Sequence, residues 1–567
     1  MVAEQVTTSG KWALSRDFVR PLAVILAGLA TVLAAEVALV LIATRGHFVY
    51  ALEAGYTHLA LAQHIAQGQY GLFPGEAAAP SSSILFPFLL AALSGLGLGT
   101  FLPLAINVSA TLAIGIFATF LARECAIPIS RIPSLSLFIL TAVIAIALDL
   151  PGLAITGLEH SLHIAMTVVY LVGLVRFVTN RRCDWWWIIC IIVQPLIRFE
   201  AAGMIVADAL IFLAFRKYGY ALAMVAIGIA LLSGYSIFLH SLGLPLLPGS
   251  VLNRSDWSNA MVVSHSGALS IATTLFKNLY DNLNSFGAAQ MLAGVALGIG
   301  WLGSSTALSL RPLPRFDQIR LATLCFMAFV TVAQLAGGKI GWVPPRYEGY
   351  VLALNLCGLA VIYRDRVSTW CMRPAWRPVS AFSAAMLFIF AGYVSQFVFI
   401  PSQSRAEYQG PFQLHRFVAD FYGASVATNQ LGYVNFDNPS YVLDLSGISS
   451  GDARKARAQS SSAEWMDALL ASHNIGLALI DTAHDTVVPS GWIDVAELIP
   501  AGEFSGVASH RFIFFARGYA NVAAIISALD RFAPTLPAPI RLVRGGPALA
   551  GAQLTRPQNP GPRDHLG

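Results

Sequence analysis

Glu53, Tyr56 and His58 fall within one short segment, Leu52-Glu53-Ala54-Gly55-Tyr56-Thr57-His58, placed where the chain leaves its first long apolar run. A carboxylate at such a boundary can take a proton from an attacking hydroxyl, the work of a general base. Ionisable groups at membrane depth are functional-site candidates by default, although a solvated loop carboxylate looks the same in sequence. Tyr56 and His58 supply a hydroxyl and an imidazole able to orient a ligand. His58 and His64 flank Leu61 and offer two imidazoles to a metal ion, although histidines also suit the headgroup region. Glu159, in Thr156-Gly157-Leu158-Glu159-His160, opens an apolar run, where the helix dipole alone accounts for a carboxylate. Arg198 and Glu200, in Gln194-Pro195-Leu196-Ile197-Arg198-Phe199-Glu200, sit at a bend between two apolar runs. Charges there must face a cavity or each other, so a substrate contact and an ion pair of Arg198 with Glu200 or Glu159 fit equally. Arg254, Lys339 and Arg346 add cations in two further turns. A guanidinium presents a fork of donors matched to phosphate oxygens, which suits a phosphate ligand and a lipid headgroup alike.

The elements that must position these side chains are membrane helices. The 567 residues are 56% hydrophobic and 11% charged, with a mean hydropathy of +0.65. Apolar runs recur near the roughly 20 residues needed to cross a bilayer, so the fold class is a polytopic α-helical membrane protein. The net charge of +5 comes from Lys and Arg scattered in short loops; it is a topology signal and excludes a nucleic-acid partner. The six cysteines lie in apolar runs or short basic loops and offer no disulfide framework.

Lys11, Arg16 and Arg20 precede the first run, residues 22 to 44, which reads as a signal anchor with residues 1–21 cytoplasmic. Basic clusters between alternate later runs, such as Arg181 and Arg182, Arg216 and Lys217, and Arg364 and Arg366, give a consistent parity. Residues 22–400 then form a module of about 11–13 transmembrane helices. Loops 45–82, 242–284 and 338–346 lie outside together with Glu159 and Arg198. Residues 83–122 are split by Ser94-Gly95-Leu96-Gly97-Leu98-Gly99, and one of the two pieces reads as a half-span. Leu59 to Gln67 reads as an amphipathic stretch along the interface.

Hydropathy falls after residue 400. Residues 401–533 read as an extracytoplasmic α/β domain, with strands at 425–428, 441–445, 476–481 and 511–515 and an amphipathic helix over 463–473. The tail, 534–567, is rich in Pro and Gly and is expected to be disordered.

Several short motifs follow one another in a telling order: Glu53-Ala54-Gly55-Tyr56, Gly68-Gln69-Tyr70-Gly71, Phe73-Pro74-Gly75-Glu76, Ser81-Ser82-Ser83, Thr156-Gly157-Leu158-Glu159, Arg198-Phe199-Glu200-Ala201 and Arg346-Tyr347. Val426 to Tyr433 and Val442 to Gly447 extend the series. This succession resembles the GT-C superfamily of membrane glycosyltransferases that use polyprenyl-phosphate sugars, in the arabinofuranosyltransferase-like and mannosyltransferase-like branch, over about residues 20 to 450. The family's paired acids are reduced here to Glu53, with Ala54 second, and Phe199 stands in place of Pro.

The resemblance implies displacement at an anomeric carbon with inversion. An acceptor hydroxyl would attack, and a lipid phosphate would depart. It assigns Glu53 as base, with Arg346, Arg198, Lys339 and Arg254 as candidates for the leaving phosphate, Glu159 and Glu200 beside them, and Tyr56 and His58 orienting sugar or acceptor. A divalent cation, Mg or Mn, held by Glu53 and Glu159 is compatible with the sequence, and so is a metal-free reaction. The implied partners are a polyprenyl-phosphate sugar donor, a cell-envelope glycan or lipid acceptor guided by the outer domain, and membrane lipids. The implied location is the bacterial inner membrane. Three rival functions remain: a transporter or flippase for a lipid-linked sugar, a ligase moving a whole lipid-linked glycan through Arg254 and His265, and a homologue of the family that has lost catalysis.

Overall fold

The computed structural model describes residues 15–254, 267–304, 313–341, 344–372, 376–460, 462–482, 487–500 and 511–545. Among these, six helices are long and apolar enough to cross a membrane: Arg16–Ala43, Gly99–Glu124, His160–Asn180, Tyr218–Ser241, Phe286–Gly303 and Arg315–Gly337. A seventh candidate is the pair Trp376–Ile389 and Ala391–Tyr422, bent by 82°. Four apolar helices are shorter: Leu85–Leu96, Ser134–Ala147, Trp185–Ile197 and Gly349–Ile362. With the bent pair and the four shorter helices, the described residues hold eleven apolar helical segments, six of them of full length. The 14 residues of Ser134–Ala147 rise only about 21 Å against a hydrocarbon core of about 30 Å. Two of these runs stop early at Asp149-Leu150-Pro151 and at Pro195 to Arg198.

The divided stretch 83–122 resolves into one crossing. Leu85–Leu93 is followed by the 3-10 turns Ser94–Leu96 and Gly99–Phe101. The Tyr50 hydroxyl donates to the Thr100 carbonyl at 2.6 Å and accepts from the Leu104 N–H at 3.0 Å. Ser81, just upstream, meets His58. Both ends of the short helix therefore lie beside residues 50–58, and Leu102–Glu124 alone crosses.

Residues 242–284 are not a plain loop, since they include the helix Gly267–Leu283. It turns Thr274, Asn278 and Asn282 inward and exposes Phe276 and Tyr280. The Asn282 amide donates to the carbonyls of Leu335 and Gly338 at 2.8 and 2.9 Å. Polar side chains inside and aromatic ones outside is the arrangement that suits a lipid-facing helix, because lipid offers the polar groups no partner.

The C-terminal domain is a six-stranded mixed sheet, β1 (Val426–Thr428), β2 (Val442–Asp444), β3 (Leu477–Asp481), β4 (Trp492–Ile499), β5 (Phe512–Arg517) and β6 (Arg541–Arg544), in the order β2-β1-β3-β5-β4-β6. β1 runs parallel to both β2 and β3, and the remaining pairs are antiparallel. Alternation along the strands fills two layers. Val426, Leu477, Leu479, Phe512 and Phe514 pack on Phe417 and the helix Val522–Phe532. Ala427, Leu443, Ala478, Ile480 and Phe515 pack on Met466 and Leu470 of Glu464–Ser472. The expected strands and helix form, but the tail expected to be disordered from 534 instead gives β6, paired with β4. Residues 546–567 lie outside the described residues.

Candidate functional site

Two backbone segments carry the site's carboxylates, and glycine lets them touch. Gly157 holds a positive φ of 72°, and a Cβ on Gly55 would come within 3.2 Å of the Gly157 Cα. The Ala51 N–H donates to the Ile155 carbonyl at 3.1 Å. This close approach brings Glu53, at the start of the helix Ala54–Ala66, to one cleft with Glu159.

Arg198 is the centre of that cleft's charge. It is extended, φ −147° and ψ 133°, between the end of Trp185–Ile197 and the turn Phe199–Ala201, so its side chain leaves the bundle axis. Nη1 donates to Glu159 Oε1 at 2.7 Å and Ser82 Oγ at 2.9 Å, and Nη2 and Nε donate to the two Glu200 oxygens at 2.6 and 3.2 Å. Burial by itself would loosen the guanidinium proton, and the charges of Glu200 and Glu159 more than reverse that, so Arg198 is held firmly charged. Of the two readings open for Arg198, the internal ion pair is therefore present, and it takes both carboxylates.

Tyr347 lies between two cations, with the Arg198 and Arg346 guanidinium carbons 4.8 and 4.7 Å from its ring centroid. Arg346 also donates to the Tyr347 hydroxyl at 3.2 Å and to the Pro344 carbonyl at 3.1 Å. Glu348 anchors this turn by accepting from the Tyr393 hydroxyl at 2.9 Å and the Gly341 N–H at 3.2 Å. Burial pushes the Glu348 carboxyl up, against those hydrogen bonds and Arg346.

His58 is buried, with Nε2 3.0 Å from Ser81 Oγ. The Ser81 hydroxyl donates to the Ser83 carbonyl at 2.8 Å, so it accepts from His58 Nε2–H. Nδ1 then faces Glu159 Oε2 at 3.9 Å, longer than a hydrogen bond.

The sheet domain closes the cleft with the loops that follow its parallel strands, the usual place for a ligand crevice in such sheets. Leu431 follows β1 and Ile448 follows β2, and both line the cleft. The Gly432 N–H donates to Glu53 Oε2 at 3.3 Å, and the Tyr433 ring packs 4.0 Å from that of Tyr56. The cleft, counted with its solvent-open mouth, spans about 520 Å³, with Glu53, His58, Ser82, Glu159, Arg198, Ser250 and Tyr347 on its walls.

The structure thus brings Glu53, His58, Glu159 and Arg198 into one cleft, with Glu200 joined through Arg198. Tyr56 is not on its wall: its hydroxyl accepts from the Tyr50 N–H at 3.1 Å and its ring is buried. The stretch from Leu59 is no interfacial helix either, since Leu59 to Ala62 are buried in the protein. Arg346 stands behind Tyr347. Lys339 is half-buried outside the lining, with its carbonyl accepting from the Gln334 amide at 3.0 Å. The backbone of Arg254 ends the helix Gly249–Arg254, but its side chain and His265 lie outside the described residues. Sequence reasoning did not single out Tyr347, Ser82, Ser250, Leu431 or Ile448. Tyr347, Ser82 and Leu431 stood inside the motif series, whereas nothing local marks Ile448.

The donor set does not fit a divalent cation. Among the described residues no three His, Cys, Asp or Glu side chains come together as ligands. Glu159 already faces a guanidinium at 2.7 Å, which would repel a metal ion. His58 and His64 are six positions apart on one helix, hence about 120° apart around its axis.

A family described as a domain of unknown function (DUF8728) matches residues 399–522, the junction helix and most of the sheet domain. No curated protein matches the chain. Among solved structures, the crystal structure of ArnT from Cupriavidus metallidurans bound to undecaprenyl phosphate is similar over 87% of this chain and 98% of that one, with 10% identity and a TM-score of 0.41. A likeness that loose carries no argument about family or substrate.

Proposed function

We propose that this chain is a membrane glycosyltransferase of the GT-C type, moving a sugar from a polyprenyl-phosphate donor to an acceptor hydroxyl with inversion. The observation that carries the reading is the convergence of Glu53, His58, Glu159, Arg198 and Tyr347 on one cleft between the helical module and the sheet domain, in the order the sequence resemblance implies. The acceptor oxygen attacks the anomeric carbon as the bond to the lipid phosphate breaks, and Glu53 takes the acceptor proton. Attack opposite the leaving group inverts the centre. With four hydrogen bonds to protein oxygens, Arg198 is a positioning residue that holds Glu159 and Glu200. The leaving phosphate is assigned to Tyr347 on the cleft wall, with the charge of Arg346 behind its ring favouring the developing anion. In this reading the cleft faces the extracytoplasmic side of a bacterial inner membrane, and the loops after β1 and β2 guide the acceptor.

The test is sugar transfer by purified protein in lipid nanodiscs, supplied with radiolabelled polyprenyl-phosphate arabinofuranose or mannose and a glycolipid acceptor. Transfer supports the reading; donor movement across proteoliposomes without product would replace it with transport. The transport reading has one observation in its favour, the buried carboxyls of Glu36 and Asp149, which have no ion-pair partner among the described residues.

Gly432→Ala tests the domain's part. A Cβ there would fall 2.2 Å from the Glu53 carbonyl oxygen and 2.5 Å from its Cβ, so the loop must back away from the base. The expected result is a fall in transfer of at least about tenfold, the scale of a misplaced reacting group, without loss of the folded protein in size-exclusion chromatography.

A further inference from the structure

Below the cleft, Glu36 and Asp149 lie inside the helical body with no counter-charge. They are 0% and 1% exposed; both Glu36 oxygens lack a hydrogen-bond partner among the described residues, and Asp149 meets only the backbone N–H of Gly152. Their elements place them level. Arg20 meets Ser134, and Gly28 lies against Thr141. The helices Arg16–Ala43 and Ser134–Ala147 therefore run parallel, and the same register carried on places position 36 beside positions 149–150. Asp149 occupies the left-handed break between Ser134–Ala147 and Leu150–Ile155, φ 50°, and a Cβ on Gly152 would meet its Oδ1 at 2.2 Å. A third polar group adjoins. Ile400 packs with Val40, so Gln396, one turn before Ile400, is level with Glu36. It is 5% exposed, with Oε1 unpartnered.

The groups that act electrostatically on the pair are each other and Tyr393, which donates to Glu348. No described Lys, Arg or His forms an ion pair with either. Ionised carboxylates in such surroundings are strongly disfavoured, so bound positive charge must neutralise them. Two carboxyls and one amide oxygen supply fewer oxygens than the roughly six to eight a calcium ion takes, which favours protons. We propose that Glu36 and Asp149 form an intramembrane proton-binding site, one short helix away from Glu159. The site stands whether the cleft transfers or transports sugars.

The test is infrared spectroscopy of the full-length protein in nanodiscs near neutral pH, reading the deuterium-sensitive C=O absorption of protonated carboxyls. The expected result is an absorption in the wild type that weakens in Glu36→Gln and again in Glu36→Gln/Asp149→Asn. No such absorption in the wild type, the same absorption in both variants, or its removal by Na⁺ or Ca²⁺ at constant pH would overturn the proposal. If the variants fail to fold, wild-type protein treated with dicyclohexylcarbodiimide, an apolar reagent for protonated carboxyls, decides by peptide mass spectrometry. An adduct at Glu36 or Asp149 supports the site, and unmodified residues reject it.

Discussion

Glu53→Gln lowers sugar transfer by about 10²- to 10⁴-fold, the range for loss of a positioned general base. The substitution keeps the side chain's length and an oxygen able to accept from the Gly432 N–H, at 3.3 Å in the wild type, so the domain stays docked while the basicity is removed. Initial rates at saturating donor, compared between wild type and variant of equal monodispersity, measure the effect. An unchanged rate would move the base to another carboxylate of the cleft, with Glu159 the first to test. Because Ala54 occupies the second acid position of the resembled motif, no neighbouring carboxylate in that segment can substitute for Glu53.

Arg198→Met has the second large effect, on stability as much as on rate. Arg198 is 5% exposed, and its guanidinium holds Glu159 at 2.7 Å and Glu200 at 2.6 Å. Removing one partner of a buried ion pair leaves the other charge uncompensated and costs about 3–5 kcal/mol. Arg198→Lys recovers only part of this, since an ammonium cannot reach both carboxylates in the fork geometry of a guanidinium. Unfolding followed by tryptophan fluorescence in detergent orders the three proteins as wild type, Lys variant, Met variant. Equal stability of wild type and Met variant would mean that Glu159 and Glu200 find other partners.

These two residues show what could be read from sequence. Glu53 and Arg198 stood out because charge is rare in an apolar chain and each occupies a boundary between apolar runs. Pairing was harder to foresee: that Arg198 takes both Glu159 and Glu200 depends on its extended backbone and on how residues 155–160 lie against 50–55. Tyr56 looked equivalent to His58 in sequence, but two positions on a helix differ by about 200°, and that rotation sends one ring to the core and the other to the cleft. The strands β1, β2, β3 and β5 were legible as short apolar runs. β6, Arg-Leu-Val-Arg, is an edge strand with too few apolar residues to announce itself, and only its pairing with β4 orders it. Hydropathy does not register where a chain bends, as at Asp149 and at Pro195, so some of the apolar runs form helices shorter than a full span. Leu431 and Ile448 reach the cleft through domain docking, a tertiary fact, and only Leu431 stood in the motif series.

The most direct test of the central claim is to follow one reaction of wild-type protein to completion with a polyprenyl-phosphate sugar of defined anomer, measuring released polyprenyl phosphate and the anomeric configuration of the product by NMR. The account predicts one lipid phosphate released per sugar transferred and a product of inverted configuration. Retained configuration, or transfer of the phosphate together with the sugar, would contradict it.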